Sequence, residues 1–245
     1  MSDITNPRRV LITGAGGRIG SHLATALKDR YDLRLQYRNA TPDTPPVKDW
    51  VKADIAVYDE IAGAMEGIDA VIHMAGEPNP RASWEEVHRQ NIVGMYNTLE
   101  SARQAGVKRV IYASTNHVMG FYDRDGQWPI YWNQTARPDS LYGVSKAFGE
   151  DLGRYMYDQH GLSVICLRIG WFLPEPIDEF SSWVWLSPRD CTQVVDRALR
   201  SDVGFGIYYA ISGNSTRKWD IANTMADLGY QPEDDASRFW PQAAR

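Results

Sequence analysis

Short apolar runs alternate along the chain with segments of helical periodicity. Several runs are nearly all apolar, which is typical of strands covered by helices on both faces. Their order predicts parallel βαβ units and an α/β fold with a doubly wound, Rossmann-like parallel sheet. The candidate strands read RVLIT, LRLQY, AVIHMA, RVIYAS, SVICLRI and, near the C-terminus, IYYAIS.

The ends of two helices can be read from the sequence. Ser83 and Glu86 have the spacing of a capping box, and Gly106 is suited to end the helix that follows them. A second helix is expected from near Leu141 to Gly161. Loops are expected at the proline-bearing segments 41–46, 78–81 and 174–188.

Composition narrows the function classes only a little. Hydrophobic residues make up 43% of the 245 residues, and the net charge of -5 argues mildly against a nucleic-acid or anionic-membrane surface. No apolar run reaches membrane-spanning length, and the N-terminus lacks the apolar region of a signal peptide. Cys166 and Cys191 form no CxxC pattern, and the histidines form no HExxH pattern, so we expect no metal and a cytoplasmic location.

Glycines follow the first candidate strand at a spacing that suits a dinucleotide. Gly14, Gly17 and Gly20 would allow a tight turn, a close approach to a pyrophosphate and close helix packing. We therefore expect a single domain, 1–245, in which residues 8–170 bind a dinucleotide and residues 171–245 mainly form a smaller substrate-binding cap. The other expected cofactor contacts are Gly16, Arg18, Ile19, Ile55, Met74, Ala75 and Gly76.

The end of the second strand bears on the choice between NAD and NADP. An acid there would bind the ribose 2′-hydroxyl, whereas an arginine accommodates a 2′-phosphate. This chain has Tyr37 and Arg38 at that point and no carboxylate, which favours NADP over NAD. Asp54, after the short strand in WVKA, could meet the adenine edge or could be a structural loop residue.

Tyr142 and Lys146 stand four residues apart, hence on one face of a helix. A nearby ammonium favours the phenolate, and the positive nicotinamide of an oxidised cofactor would add to that effect. Tyr142 could then accept a proton from an alcohol as hydride leaves its carbon. A hydroxyl at a neighbouring strand end, Ser114 or Thr115, could hold the substrate oxygen.

The ordered motifs TGAGGRIG, HMAG, ASTNH, YGVSK and RIG resemble those of the extended short-chain dehydrogenases/reductases, which include the NAD-dependent epimerase/dehydratases. The resemblance runs from about residue 8 to 172. It implies that Asn91 supports the lysine and that Thr115, rather than Ser114, is the catalytic hydroxyl. Neighbours on a strand face opposite sides, so only one of the two hydroxyls can point at the substrate. The resemblance also implies a homodimer.

The segments STNH, RPDSLYGVSKAFGE and RIG…PEP…WLS are similar to those of uronate dehydrogenases and of halophilic archaeal NAD-dependent glucose-6-phosphate dehydrogenases. This likeness implies oxidation of a cyclic sugar at C1 to a lactone, with Asn116 and His117 contacting the sugar. Two departures matter. Phe180 stands where uronate dehydrogenases carry a carboxylate-binding arginine, and Tyr37 stands near their second-strand aspartate.

Two alternative functions remain open from the sequence. A nucleotide-sugar epimerase or dehydratase uses the same residues, although the chain after Gly170 is short for holding a nucleotide. A non-catalytic NAD(P)-sensing module is the other, although such modules often lose the tyrosine or lysine. Trp171, Trp183 and Trp185 could face a sugar ring or could be core. The candidate partners for an anionic substrate group are Arg81, Arg168 and Arg189.

Overall fold

A seven-stranded parallel sheet forms the centre of the molecule, in a computed structural model that describes residues 4–39 and 45–239. Its strands are β1 (Arg9–Thr13), β2 (Asp32–Tyr37), β3 (Trp50–Lys52), β4 (Ala70–His73), β5 (Arg109–Thr115), β6 (Ser163–Ile169) and β9 (Phe205–Ala210), and β7 (Trp171–Phe172) pairs separately with β8 (Trp185–Leu186). The order is β3-β2-β1-β4-β5-β6-β9. The chain therefore winds outward in both directions from β1, which confirms the predicted doubly wound fold.

Helices cover both faces of this sheet. They are α1 (Arg18–Leu27), α2 (Tyr58–Ala64), α3 (Trp84–Val87), α4 (Gly94–Gln104), α5 (Gly120–Arg124), α6 (Leu141–His160), α7 (Glu179–Val184), α8 (Pro188–Arg200) and α9 (Ala222–Leu228). One core lies between the sheet and α1 and α8, and the other between the sheet and α2, α4 and α6. The strand RVLIT shows why the runs are so apolar. Val10 and Ile12 enter the first core while Leu11 enters the second.

Helix ends follow the predicted signals. The Ser83 hydroxyl accepts a hydrogen bond from the backbone N–H of Glu86 at 3.3 Å, and the Glu86 carboxylate accepts one from the backbone N–H of Ser83 at 2.9 Å. Helix α6 begins after Ser140, whose hydroxyl accepts from the backbone N–H of Gly143, and ends at Gly161 with φ of 70°. The helix after Ser83 is less regular than predicted, because His88–Val93 is a π-helical stretch between α3 and α4.

The region expected as a loop at 174–188 is only partly a loop. It contains α7 and β8, so that expectation was wrong for residues 179–186. Helix α7 forms because Asp178 and Ser181 cap it reciprocally, which compensates for the proline-rich approach. The predicted loop 78–81 contains neither helix nor strand, and most of the one at 41–46 lies outside the described residues.

Part of the predicted cap belongs to the sheet. Strand β9 pairs in parallel with β6 from Val164↔Phe205 to Ile169↔Ala210, so it begins and ends two residues earlier than the run IYYAIS suggested. Helix α8 packs on the same layer as α1. Strand β7 follows β6 directly along the chain, and α7 comes after it. No helix in the described ranges has the length and apolar character needed to cross a membrane.

Arg109 joins the first residue of β5 to the end of α8. Its side chain is fully buried, and its guanidinium donates to the carbonyl oxygens of Ala198, Leu199, Ser201 and Val203. Burial lowers the pKa of the guanidinium to about 10. The negative end of a helix dipole favours a cation at this point. Arg109 therefore satisfies carbonyl groups that the last turn of α8 leaves without helical partners.

We expect Arg109→Met to lower the free energy of unfolding by roughly 2–4 kcal/mol, because several buried carbonyl oxygens lose a charged donor. The measurement is the urea midpoint, followed by far-ultraviolet circular dichroism. Arg154→Met removes an exposed arginine from α6 and is the control, which should leave the midpoint almost unchanged. Equal midpoints for the two variants would contradict the role assigned to Arg109.

Candidate active site

A cavity of about 920 Å³ opens at the carboxyl edge of the sheet, where the strand order reverses between β1 and β4. Most of the residues predicted to bind cofactor or substrate line it. They are Gly14, Gly16, Gly17, Arg18, Ile19, Gly20, Tyr37, Arg38, Ile55, Met74, Ala75, Gly76, Ser114, Thr115, Asn116, His117, Tyr142 and Lys146. Asp54 and Asn91, which were also predicted, do not line the cavity.

The glycine loop lies at one end of this cavity and leads into α1. Gly14 has φ of 67°, and a Cβ there would lie 2.7 Å from the backbone nitrogen of Ala75. Gly17 is the N-cap of α1, so the positive end of that helix faces the cavity. The first turn of α1 can therefore hold an anionic group such as a diphosphate.

Gln36 supports the glycine loop, and the sequence analysis did not identify it. Its Oε1 accepts a hydrogen bond from the backbone N–H of Gly14 at 2.8 Å, and its Nε2 donates to the carbonyl of Ala53. The side chain is buried and thus ties β1 to the segment after β3. The signal for it was present in the sequence, since an amide stands alone among the apolar residues at the end of LRLQY.

Tyr37 and Arg38 end β2 beside the cavity, as predicted. Tyr37 is buried and packs edge-on against Trp50, with ring centroids 6.4 Å apart. Arg38 is exposed at the cavity edge. Among the described residues, the lining therefore has a cation and no carboxylate at this corner, where the ribose of a dinucleotide bound along the glycine loop would lie.

The Asp54 carboxylate stabilises the loop after β3 through hydrogen bonds. Its carboxylate accepts a hydrogen bond from Arg89 at 2.7 Å and another from the backbone N–H of Ala56 at 2.9 Å. The next residue, Ile55, lines the cavity instead. Of the two interpretations left open by the sequence, the structural loop aspartate fits these contacts, because the carboxylate is already paired.

Tyr142 and Lys146 lie on the same face of α6, at the centre of the cavity. The Lys146 Nζ donates to the carbonyl of Ala113 at 2.7 Å and lies 5.7 Å from the centroid of the Tyr142 ring. Burial lowers the pKa of Lys146 to about 8. A lysine with this pKa can gain or lose a proton near neutral pH.

We predicted that Lys146 lowers the pKa of Tyr142. The groups of the protein, without a cofactor, instead raise that pKa. Burial raises the pKa of the Tyr142 phenol to about 12, a hydrogen bond with Thr115 lowers it, and the Glu77 carboxylate raises it. Desolvation of the phenolate is the largest of these effects and outweighs the lowering by Thr115. Tyr142 is therefore a neutral phenol at pH 7 unless a further positive charge lies beside it.

The two neighbouring hydroxyls at the end of β5 face opposite sides, as strand geometry requires. The Thr115 hydroxyl lies close enough to Tyr142 to lower the pKa of its phenol, and it accepts from the backbone N–H of His117 at 3.3 Å. The Ser114 hydroxyl donates to the buried carboxylate of Glu150 at 2.5 Å. Ser114, which we predicted to contact substrate, lines the cavity, but its hydroxyl is engaged by that carboxylate.

Asn91 lies in the π-helical stretch and holds the loop beside Lys146. Its Oδ1 accepts from the backbone N–H of Glu77 at 2.7 Å, and its Nδ2 donates to the carbonyl of Glu77 and to the hydroxyl of Ser145. A Cβ at Gly76 would lie 2.8 Å from this Oδ1 and 3.6 Å from the Lys146 Nζ. The Asn91 side chain and the Lys146 ammonium thus both lie close to Gly76, although Asn91 is buried and does not line the cavity.

His117 faces Tyr142 and is oriented by a carboxylate. Its Nδ1 lies 3.0 Å from the Oδ1 of Asp139, and its ring packs edge-to-face on Tyr142 with centroids 5.8 Å apart. Asn116 precedes it, and its Oδ1 accepts from the Thr115 hydroxyl at 3.4 Å. These side chains place hydrogen-bonding groups around the phenol.

Aromatic side chains form the cavity wall beyond the carboxyl end of β6. Trp171 and Phe172 follow β6, and Phe180 belongs to α7; all three line the cavity together with Val184. Phe180 packs against Trp171 with centroids 6.4 Å apart. Of the three candidate tryptophans, Trp171 lines the cavity, Trp183 packs behind Phe180, and Trp185 is buried in the core.

The three arginines considered as partners for an anionic substrate all lie outside the cavity lining. Arg168 is buried and paired with Glu150 at 2.8 Å. Arg189 is paired with Asp234 at 2.5 Å and lines a separate surface depression. Arg81 is exposed on the loop after β4. Among the described residues, no cluster of three or more His, Cys, Asp or Glu side chains could hold a metal ion.

Comparisons with known proteins agree with this geometry. The model of the NAD dependent epimerase/dehydratase family matches residues 10–174. The NAD-dependent glucose-6-phosphate dehydrogenase of Haloferax volcanii is 37% identical, with 94% of this chain and 95% of that protein aligned. The L-arabinose 1-dehydrogenase (NAD(P)(+)) of the same organism is 38% identical over 94% of this chain and 98% of that protein.

A solved structure leads to the same assignment. A mutant uronate dehydrogenase from Agrobacterium tumefaciens, complexed with NAD, superposes with a TM-score of 0.90 at 31% identity and covers 96% of this chain and 88% of its own. Fold, ordered motifs and relatives thus agree over most of the sequence. The chain belongs to the NAD-dependent epimerase/dehydratase family, as its motifs predicted.

Proposed function

We propose that the protein oxidises the C1 hydroxyl of a cyclic sugar (an aldose, uronic acid or sugar phosphate) to a lactone, with NAD or NADP as the hydride acceptor. The observation that carries this proposal is that Thr115, Tyr142 and the buried Lys146 line one cavity, which begins at a glycine loop. The sugar dehydrogenases among the relatives support the same reaction class.

The protein groups fit a dinucleotide. The N-terminus of α1 and the glycine loop suit the diphosphate, Arg38 and Tyr37 lie at the ribose corner, and Ile55 offers an apolar contact for the adenine. A bound nicotinamide supplies hydride acceptance, and its positive charge in the oxidised form favours the phenolate of Tyr142.

The residues around the phenol then have separate roles. The Thr115 hydroxyl would donate to the C1 oxygen of the sugar, and the Tyr142 phenolate, favoured by the oxidised nicotinamide, would accept the proton of the C1 hydroxyl. Lys146, with its pKa near 8, can pass that proton on, and Asn91 positions the backbone beside it. His117 and Asn116 are placed to contact the sugar.

The C1 hydroxyl of a cyclic sugar suits this arrangement chemically. The ring oxygen stabilises the positive charge that builds at C1 as hydride leaves, so one base and one hydrogen-bond donor suffice. Chromatography of the product tests the reaction. A lactone or aldonic acid supports C1 oxidation, whereas a ketose or an epimer would favour the nucleotide-sugar epimerase alternative.

We expect Tyr142→Phe to lower kcat by about 10²–10⁴-fold while coenzyme affinity stays nearly the same, because the variant loses only the proton acceptor. Stopped-flow or steady-state coenzyme absorbance measures the first effect, and fluorescence titration of the coenzyme measures the second. Activity within about tenfold of the parent, a difference of roughly 1.4 kcal/mol, would exclude Tyr142 as the base.

The neighbouring hydroxyls provide a matched control pair. Thr115→Ala should lower kcat by about 10²-fold, the usual cost of a positioned donor. It should also move the rising, acidic limb of the pH–kcat profile to higher pH, because the base must be ionised to act and the lost interaction is one that lowers the pKa of Tyr142. Ser114→Ala should reduce stability through Glu150 and affect kcat far less. The reverse ranking would assign catalysis to Ser114.

Arg38 is proposed to favour NADP. Arg38→Ala should weaken NADP binding by about 1–3 kcal/mol and leave NAD binding nearly unchanged, because only NADP offers a 2′-phosphate. Isothermal titration calorimetry with both coenzymes checks this. Lys28→Ala, at the far end of α1, makes the same change in net charge and should affect neither. Equal losses for NAD and NADP in Arg38→Ala would refute the assignment.

A homodimer and a cytoplasmic location are the remaining parts of the proposal. The outer face of α6 exposes Val144, Phe148 and Tyr155, an apolar stripe that a second copy could cover. The two cysteines are buried free thiols, which accords with a reducing compartment.

We expect light scattering at micromolar concentration to give a dimer and Tyr155→Glu to give mainly monomer, because the variant buries a charge at the contact. Met225→Glu alters an equally exposed apolar residue on α9, in the opposite helix layer, and should remain dimeric. A monomeric parent protein would contradict the dimer.

A further inference from the structure

The end of the cavity beyond Tyr142 is apolar on one side and acidic on the other. Trp171, Phe172 and Phe180 form the apolar side. Across from them lies the loop after β4, where Glu77 lines the cavity. This carboxylate acts on the reaction centre electrostatically, since it raises the pKa of Tyr142.

The cations of the cavity lie elsewhere. Arg38 follows β2, whereas Trp171 follows β6, four strands away in the sheet. At about 4.8 Å per strand, that separates them by roughly 19 Å. Arg18 starts α1 at the glycine loop. Lys146 also lines the cavity, but its Nζ is buried and bonded to the Ala113 carbonyl.

The arginines nearest in sequence to this end are already engaged. Arg168 is paired with Glu150 inside the protein, and Arg189 is paired with Asp234 on another surface. A carboxylate or phosphate next to Phe180 would meet no cation among the described lining residues of this end, because Lys218 lies behind it, with its Nζ 5.1 Å from the centroid of the Trp183 ring. It would also lie near the Glu77 carboxylate, which repels it.

We infer, on the basis of the proposed C1 oxidation, that the substrate is a neutral aldose whose C5 bears hydrogen, methyl or hydroxymethyl, and that a carboxylate or phosphate at C6 is selected against. The C–H faces of such a sugar pack against Trp171 and Phe180, while Asn116, His117 and Glu77 accept or donate hydrogen bonds to its hydroxyls.

Sugars that differ only at C5 test this inference. L-Arabinose, D-fucose, D-galactose, D-galacturonate and D-galactose 6-phosphate share the same ring configuration, and the matching series from D-xylose to D-glucuronate and D-glucose 6-phosphate covers the other common one. We expect kcat/KM for the best neutral member to exceed that for its anionic counterparts by about tenfold or more, the cost of some 1.4 kcal/mol. Anionic sugars that equal or exceed the neutral ones would overturn the inference and leave C1 oxidation intact.

A binding measurement that needs no turnover distinguishes failure of this inference from failure of the proposed function. Calorimetric titration of each sugar into Tyr142→Phe protein saturated with coenzyme should rank neutral sugars above anionic ones. A preference for the anion there would overturn the inference whatever the turnover. Absence of coenzyme reduction by the parent protein with every sugar would refute the proposed function itself.

A charge placed in the aromatic wall gives a gain-of-function test. Phe180 is 43% exposed, so Phe180→Arg should fold. It should raise the kcat/KM ratio of D-galacturonate to D-galactose by about tenfold, a gain of some 1.4 kcal/mol, because the anion gains a cation at the wall. Phe180→Leu removes the ring without adding charge and should leave that ratio near the parent value. An unchanged ratio in Phe180→Arg would contradict the inference.

Discussion

The close contact between α6 and β5 is the constraint on which the site depends. Gly149 lies against the ring of Tyr112, where a Cβ would clash, and one turn earlier the Lys146 Nζ donates to the carbonyl of Ala113. Because the helix cannot shift along the strand without breaking that bond, the Tyr142 phenol stays beside Thr115. The geometry of the hydroxyl pair is thus set by backbone packing, and the side chains at the end of β5 follow from it.

A buried ion pair extends the same contact. Glu150 lies one turn after Lys146, is held by Arg168 of β6, and accepts from Ser114 of β5. Removing one partner of such a pair leaves an uncompensated buried charge, which is strongly destabilising. The two hydroxyls of β5 therefore serve different purposes: one is fixed in the framework between α6 and β6, and the other is left facing the cavity.

Local and periodic features were predictable from the sequence. The apolar runs predicted the sheet, the glycines predicted the turn into α1, and period-two alternation predicted that Thr115 and Ser114 face opposite sides, while the choice of Thr115 came from the family resemblance. Pairings between distant residues were not predictable. The ion pair of Asp54 with Arg89, the amide bridge of Gln36, and the two-stranded β7–β8 sheet depend on which segments meet after folding. The prediction that the Tyr142 pKa is lowered was wrong for a related reason. The spacing of residues along a helix does not show how deeply the phenol is buried.

Helix α6 has two faces with unrelated surroundings. One carries Tyr142 and Lys146 into the cavity, and the other exposes Val144 and Tyr155. The two faces are separated by one helix diameter, about 10 Å. A protein surface that covers the outer face therefore contacts the same helix that positions the proton acceptor, Tyr142. A change in assembly state therefore reaches the proton acceptor through helix α6 itself, without a relay of side chains.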